Sequence, residues 1–463
     1  MTTAPIPQAT WQEGLRVQTD PRVGRTYHTT HAIPANSTVI EATTPYACTI
    51  WKQFRAEVCA ECWRYDGGRR GFLTRRDDEG LHGPRVETSA PEEKGEKPGT
   101  ILDHRERSGP SAGLWFCGEH CQSSWMTREG MDTLQLLRTL EEARRKKVKE
   151  KVNESAEAAL AEKPALTRTD IEHAWDETRQ KERSPKEVRR WREIQLDDFE
   201  TDMARYVLLA LVHLYREQGA QHLLPPDTGQ MPAFEKPLSF GGATWREFEA
   251  LQSNELRHLQ TYPELLEDQI RIYQALQGRF GLGGRRRGDS AAEPAAAGLA
   301  LNGEGGKHKH ARVRNGKVET RVGRWEAGSL RGVGSVITVE NVRMALGVDP
   351  GNSFGIWEVP ITEESECLGF GVYPRPSLFN HHCMPNVKKE RNGRVLRFIT
   401  TRNVDADEEL CISYGHVEQM DWRERRKELQ EGWFFQCRCS RCVTDMATER
   451  EACGVGQLRP TLT

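Results

Sequence analysis

Asn380-His381-His382-Cys383-Met384-Pro385-Asn386 is followed by Glu409-Leu410-Cys411-Ile412-Ser413-Tyr414-Gly415 and then by Cys437-Arg438-Cys439-Ser440-Arg441-Cys442. The Asn-His pair brings polar side chains of the kind a buried site uses, and a lone tyrosine after a strand-like run brings a hydroxyl. The Cys-x-Cys-x2-Cys knuckle offers three thiolates and needs a fourth to close a tetrahedral zinc site; Cys383 is available for it. Twelve cysteines clustered at short spacings favour zinc thiolates over disulfides in a reducing compartment. Eight of the twelve fit two metal sites, leaving Cys48, Cys367, Cys411 and Cys453.

The elements that must position these groups are unevenly spread. A chain of 463 residues has room for two or three domains, and 37% hydrophobic content is low for one packed throughout. A net charge of −2 gives no general drive toward nucleic acid. The N-terminus lacks a basic segment ahead of an apolar one, and no run approaches the ~18 apolar residues of a membrane span. The expectation is a protein of the nucleus or cytoplasm with no membrane contact.

Residues 17 to 50 read as β-rich, with Val39-Ile40-Glu41-Ala42 a strand and Gly24, Pro34 and Pro45 as breaks. Residues 59 to 125 form a Cys-Trp-rich unit interrupted at 66 to 113 by a polar stretch poor in apolar side chains, which the composition marks as a disordered insertion. From 126 to 280, apolar residues at three- and four-residue spacing, among them Trp191, Met203, Tyr206, Leu211, Leu259 and Tyr273, predict buried helices, with Pro263 interrupting or starting one. Residues 281 to 320 read as low-complexity linker. Strands return near 354 to 359, 369 to 372, 395 to 400 and 409 to 413.

Together these motifs resemble the SET-and-MYND-domain (SMYD-like) lysine methyltransferases of the fungal type. Gly24-Arg25-Thr26-Tyr27, Asn352-Ser353-Phe354-Gly355-Ile356 and Gly371-Val372-Tyr373-Pro374 fit the family pattern ahead of Asn380. The resemblance implies an α+β fold: a β-rich, knot-like SET core of small sheets, interrupted by a degenerate MYND zinc finger and a helical insert, with a post-SET zinc site. It divides the chain into an N-terminal SET part (17–58), the finger (59–125), the insert (126–280), the linker (281–320), the catalytic core (321–420), a post-SET segment (421–445) and a tail (446–463).

The implied reaction displaces a methyl group from the sulfonium of S-adenosylmethionine with the neutral amine of a protein lysine. Alignment can supply about 7–11 kcal/mol of such an acceleration, and desolvation of the lysine in an apolar channel favours its neutral form. By the resemblance, Tyr414 is the catalytic tyrosine and Tyr373 a second aromatic of the lysine channel. Gly24, Arg25, Asn352, Asn380, His381, Tyr414 and Phe435 are cofactor neighbours. Thr26 stands where relatives carry a second glycine, which puts a side chain beside the expected cofactor path. His382 stands where serine is usual and is expected to alter local packing.

Two structural zinc ions are implied. One is held by Cys383, Cys437, Cys439 and Cys442 in the post-SET arrangement. The other is held by Cys59, Cys62, Cys117 and Cys121, the first and third ligand pairs of a MYND finger whose middle pair is missing. Four thiolates close that site, so His82, His104 and His120 are expected to be exposed. The implied partners are a protein substrate and chromatin or transcription proteins, without direct nucleic-acid binding, for a monomeric enzyme. A zinc-dependent adaptor with weak catalysis is the alternative. The features against it are Tyr414, Asn380 and His381, which a decayed enzyme is free to lose.

Overall fold

The computed structural model describes residues 14–21, 24–65, 67–68, 75–77, 111–144, 165–222, 242–281, 332–362, 364–415 and 417–452. Strands β1 (Leu15–Asp20) and β2 (Gly24–Thr29) form a hairpin pairing Leu15 with Thr29 and Asp20 with Gly24. β3 (Thr38–Ala42) and β4 (Ala47–Ile50) complete the β-rich start. β5 (Arg75–Arg76) pairs antiparallel with β6 (Trp115–Phe116). The interval expected to be a disordered insertion therefore contributes a strand, and Asp77 beside it is fully buried, accepting from Ser111 Oγ at 2.8 Å and Ala112 N at 2.5 Å. Residues 78–110, with His82 and His104, lie outside the described residues.

α1 (Glu119–Glu141) starts in the finger and continues into the insert, turning at Gly130, whose φ of 74° breaks the helix. α2 (Arg168–Glu182) opens on a Thr167/Asp170 capping box, and α3 (Pro185–Trp191) has proline in its first turn, both favourable helix starts. α4 (Asp198–His222) is buried nearly all round through Met203–Leu214 and is the central helix of the insert. α5 (Trp245–Glu249), α6 (Glu255–Thr261) and α7 (Leu265–Phe280) follow, with Pro263 between the last two. The linker expected at 281 to 320 lies outside the described residues apart from Gly281.

The chain resumes in α8 (Val339–Asn352), β7 (Ser353–Trp357), β8 (Cys367–Val372), β9 (Asn380–His381), β10 (Val387–Asn392), β11 (Val395–Thr400), β12 (Glu409–Ile412), α9 (Trp422–Trp433) and α10 (Ser440–Ala452). Three small sheets result, ordered β1-β2-β12-β9, β10-β11-β3 and β4-β8-β7. Each joins N-terminal to C-terminal strands, so the start of the chain is built into the core that carries Tyr414. The insert is held to this core by a buried ionic cluster. Arg55 bonds Asp202 and Glu141, and Arg205 reaches Glu141 at 2.7 Å and Ala112 O at 2.5 Å.

Candidate active site and thiolate clusters

The site is built at the crossing of β9 and β12, which pair in parallel with Asn380 opposite Cys411 and His381 opposite Ile412. Asn386 clamps the crossing: its Oδ1 accepts from Cys411 N at 2.9 Å and its Nδ2 donates to Glu409 O at 2.8 Å. Tyr414, two residues beyond β12, donates its backbone N–H to His381 Nδ1 at 3.1 Å and its hydroxyl to Phe379 O at 2.7 Å. Burial pushes the Tyr414 phenol up, with Cys411 and Glu409 adding to it, so the ring stays protonated and a hydrogen-bond donor.

His381 is pushed down to about 4, chiefly by burial. Its Nδ1 accepts from Tyr414, so the neutral ring carries its proton on Nε2, which lies 3.2 Å from Cys383 Sγ. Phe435 closes the wall, its ring centroid 6.0 Å from His381 and 6.1 Å from Tyr414. Phe434 adopts a left-handed φ of 63° at the end of α9, turning the chain into Phe435 and the knuckle. The three rings and the knuckle are thereby one assembly.

Gly24 is exposed with φ +82°, and a Cβ there would meet nothing within 4 Å, so open space borders the start of β2. Thr26 is 2% exposed, its side chain covered rather than projecting into that space. Arg25 is committed to Ala250 O at the end of α5. The Asn352 amide donates to Gln252 O at 2.8 Å and Val348 O at 2.7 Å, fastening the end of α8 to the insert. Asn380 Nδ2 lies 3.3 Å from Glu409 Oε1. Tyr373 is buried with its hydroxyl bonded to Arg394 O at 2.5 Å, and its ring meets Phe354 edge-on at 5.8 Å. His382 bonds Met384 N at 3.0 Å and Ser440 Oγ at 3.2 Å, a local packing role.

Cys383, Cys437, Cys439 and Cys442 have sulfurs all within 4.8 Å of one another, as do those of Cys59, Cys62, Cys117 and Cys121. Cys383 and Cys442 stand 3.4 Å apart, as do Cys117 and Cys121. A disulfide needs about 2.05 Å, whereas four thiolates around zinc at about 2.3 Å stand roughly 3.8 Å apart. Both donor sets therefore fit zinc. Four thiolates on a divalent ion carry net negative charge, and Arg425, 1% exposed, places Nη2 at 3.7 Å from Cys442 Sγ and 2.5 Å from Asp445. His120 is exposed, beside the Cys59, Cys62, Cys117 and Cys121 set.

Sequence reasoning left Asn386 and Arg394 without roles. Arg394 donates to Glu61 O at 2.6 Å, Ala60 O at 2.8 Å and Thr44 Oγ1 at 3.1 Å, and its guanidinium lies 4.9 Å from the Trp63 ring. It thereby ties the β10–β11 turn to the Cys59–Cys62 loop. A cleft of about 820 Å³ opens there, lined by Trp63, Tyr65, Trp357, Arg391 and Arg394 among others. The signal for Asn386 was the motif itself, whose last residue returns to β12.

The SET domain family model matches residues 24–415, and the chain belongs to the SET-domain family. It is similar to the potential protein lysine methyltransferase SET6 of Saccharomyces cerevisiae, 24% identical over 91% of this chain and 93% of that protein. The mouse histone-lysine N-methyltransferase SMYD3 is 41% identical over 93 residues, 20% of this chain and 21% of its own length. The Arabidopsis thaliana histone-lysine N-methyltransferase ASHR2 is 33% identical over 22% and 28%. The class these findings define is protein-lysine N-methyltransferase. Among the described residues no helix is long and apolar enough to cross a membrane.

Proposed function

We propose that the protein transfers the methyl group of S-adenosylmethionine to lysines of protein substrates, histone or non-histone, at the β9–β12 crossing. The observation that carries this reading is the joining of Tyr414, His381 and Phe435 into one wall at that crossing. The cofactor, when bound, supplies an electrophilic methyl on a sulfonium. The residues fit it through the aromatic wall and the open space above Gly24.

The chain's own groups then have distinct tasks. Asn380 and the backbone at His381 hold polar atoms of the cofactor, the His381 ring keeps Tyr414 in place, and Phe435 covers the cofactor from the post-SET side. Tyr414, a phenol with a raised pKa, orients by hydrogen bonding and does not take a proton. Tyr373, its hydroxyl tied to Arg394, keeps Phe354 and the channel wall in place. Walls of this kind desolvate the incoming lysine ammonium, lowering its pKa so that the amine loses its proton to water before attack. The internal engagement of Arg25 and Asn352 favours the adaptor alternative to a limited degree, since it leaves fewer free donors for a cofactor.

The test is calorimetric titration of zinc-replete protein with S-adenosylmethionine, beside Tyr414→Phe and Asn380→Ala, followed by methyl transfer to lysine peptides and histones. Binding weakened by Asn380→Ala and largely kept in Tyr414→Phe, with transfer reduced in both, is expected. No binding by the folded wild type defeats the proposal and leaves the adaptor.

A further inference from the structure

β10 is the outer strand of the β10-β11-β3 sheet, and its side chains alternate between two faces. Lys388 and Glu390 pair with each other on one face at 2.8 Å. Val387 is buried on the other, and Arg391, also on that face, donates to Trp357 O at the end of β7. Lys389 lies between these two, on the face where a strand packed on a core ordinarily carries an apolar residue. Its Nζ stands over the Phe354 ring, 5.8 Å from the centroid.

The rings behind Lys389 are those of the candidate site. Phe354 meets Tyr373 edge-on at 5.8 Å and Phe398 at 5.9 Å, and Phe398 stacks on Phe379 at 4.8 Å. Phe379 is the residue whose carbonyl takes the Tyr414 hydroxyl. Lys389 is itself the cross-strand partner of Phe398. Glu418, in the segment between Tyr414 and α9, acts electrostatically on Lys389. That segment is pinned to the knuckle by Arg441, which donates to both Glu418 O and Cys383 O. Lys389 remains open to water on one side, yet burial of its amine lowers its pKa, with Glu418 opposing. The exposed side chain thus brings its charged end back onto the Phe354 ring.

We propose that Lys389 is a specificity-determining residue of the acceptor channel: its ammonium occupies the aromatic recess headed by Phe354, and a substrate lysine enters by displacing it. This rests on the functional reading above, in which the Tyr373–Tyr414 region receives the substrate amine. Both ammonium groups compete for the same ring face and for Glu418, so the tethered one raises the substrate KM. The competing explanation is that an inward-pointing charge on an outer strand discourages edge-to-edge association.

The test compares wild type, Lys389→Met and Lys389→Arg. Lys389→Met is expected to lower the KM for a lysine peptide about two- to fivefold, the range of a modest cation–π contact, with kcat little changed; Lys389→Arg keeps the wild-type KM. A second readout needs no turnover: in protein labelled with 13C at lysine Cε, the Lys389 signal is shifted upfield by the Phe354 ring and returns to the ordinary position in Phe354→Leu. An ordinary Lys389 signal in the wild type, or an unchanged KM with greater self-association in Lys389→Met, overturns the proposal. If neither wild type nor Lys389→Met transfers methyl groups, the functional reading fails instead, and the NMR signal still decides whether the amine lies in the recess.

Discussion

The two thiolate clusters have the same ligand set and very different surroundings. In the C-terminal one, Cys383, Cys437 and Cys442 are buried, a histidine of the site faces one sulfur and a buried arginine another. In the N-terminal one, Cys117 is exposed, and Cys59 Sγ receives a backbone N–H from Cys117 at 3.3 Å. The first is wired to Tyr414 through His381 and Phe435. The second reaches the core through Arg394 and the β10–β11 turn. Identical metal chemistry thus serves two ends: completing a site and fastening an insertion.

The comparison breaks most sharply under ligand substitution. Cys442→Ser is expected to abolish S-adenosylmethionine binding by calorimetry and to cut methyl transfer by about 100-fold or more, since losing a structural zinc site unfolds its segment and Phe435 goes with it. Cys117→Ser is expected to lower the melting temperature while cofactor affinity stays within about threefold at 20 °C; equal loss of binding in both variants erases the distinction. Chelator challenge with a colorimetric zinc reporter should release metal in two phases, the exposed finger site first, and Cys117→Ser should remove the fast phase alone.

Two smaller effects lie in the polar seams of the insert. Glu129 is buried between His213 at 2.9 Å, Arg128 at 2.9 Å and Arg216; burial opposes its ionisation, but His213 and Arg128 outweigh it and hold the carboxyl well below its usual range. Glu129→Gln should cost about 3–5 kcal/mol in urea unfolding, leaving cofactor affinity as it was. Glu217 is pushed up to about 7 mainly by burial, while Trp245 N–H and the Tyr46 hydroxyl pull it down. A carboxyl with a raised folded pKa favours the fold fully below its unfolded value, near 4.5, and loses that contribution as pH rises toward 7. Glu217→Gln removes the loss, so the variant should gain about 1–2 kcal/mol on wild type between pH 5 and 7.5.

Much of this is legible in the amino-acid sequence alone. The Cys spacings, the Asn-His pair and Tyr414 come together because local motifs carry their own geometry, and the β-rich start and apolar helices follow from periodicity. β10 escaped because Val387-Lys388-Lys389-Glu390-Arg391-Asn392 looks like a charged loop; an outer strand tolerates such a sequence. Arg75–Arg76 escaped because two residues of a polar interval carry no periodicity. The engagement of Arg25 and Asn352 was invisible because their partners, Ala250, Gln252 and Val348, are backbone carbonyls that leave no mark in side-chain identity.

The pairing of β2 with β12 also sets a timetable. His28 and Tyr27 wait for Glu409 and Leu410, about 380 residues later, which at ~5–20 residues per second of synthesis is roughly 20–80 s. β3 waits nearly as long for β11. Through that interval the newborn chain presents unpaired strand edges while its helical insert is already emerging. Yield in cells should therefore respond to translation speed and to chaperones that shield nascent chains more than the stability of the finished protein would indicate.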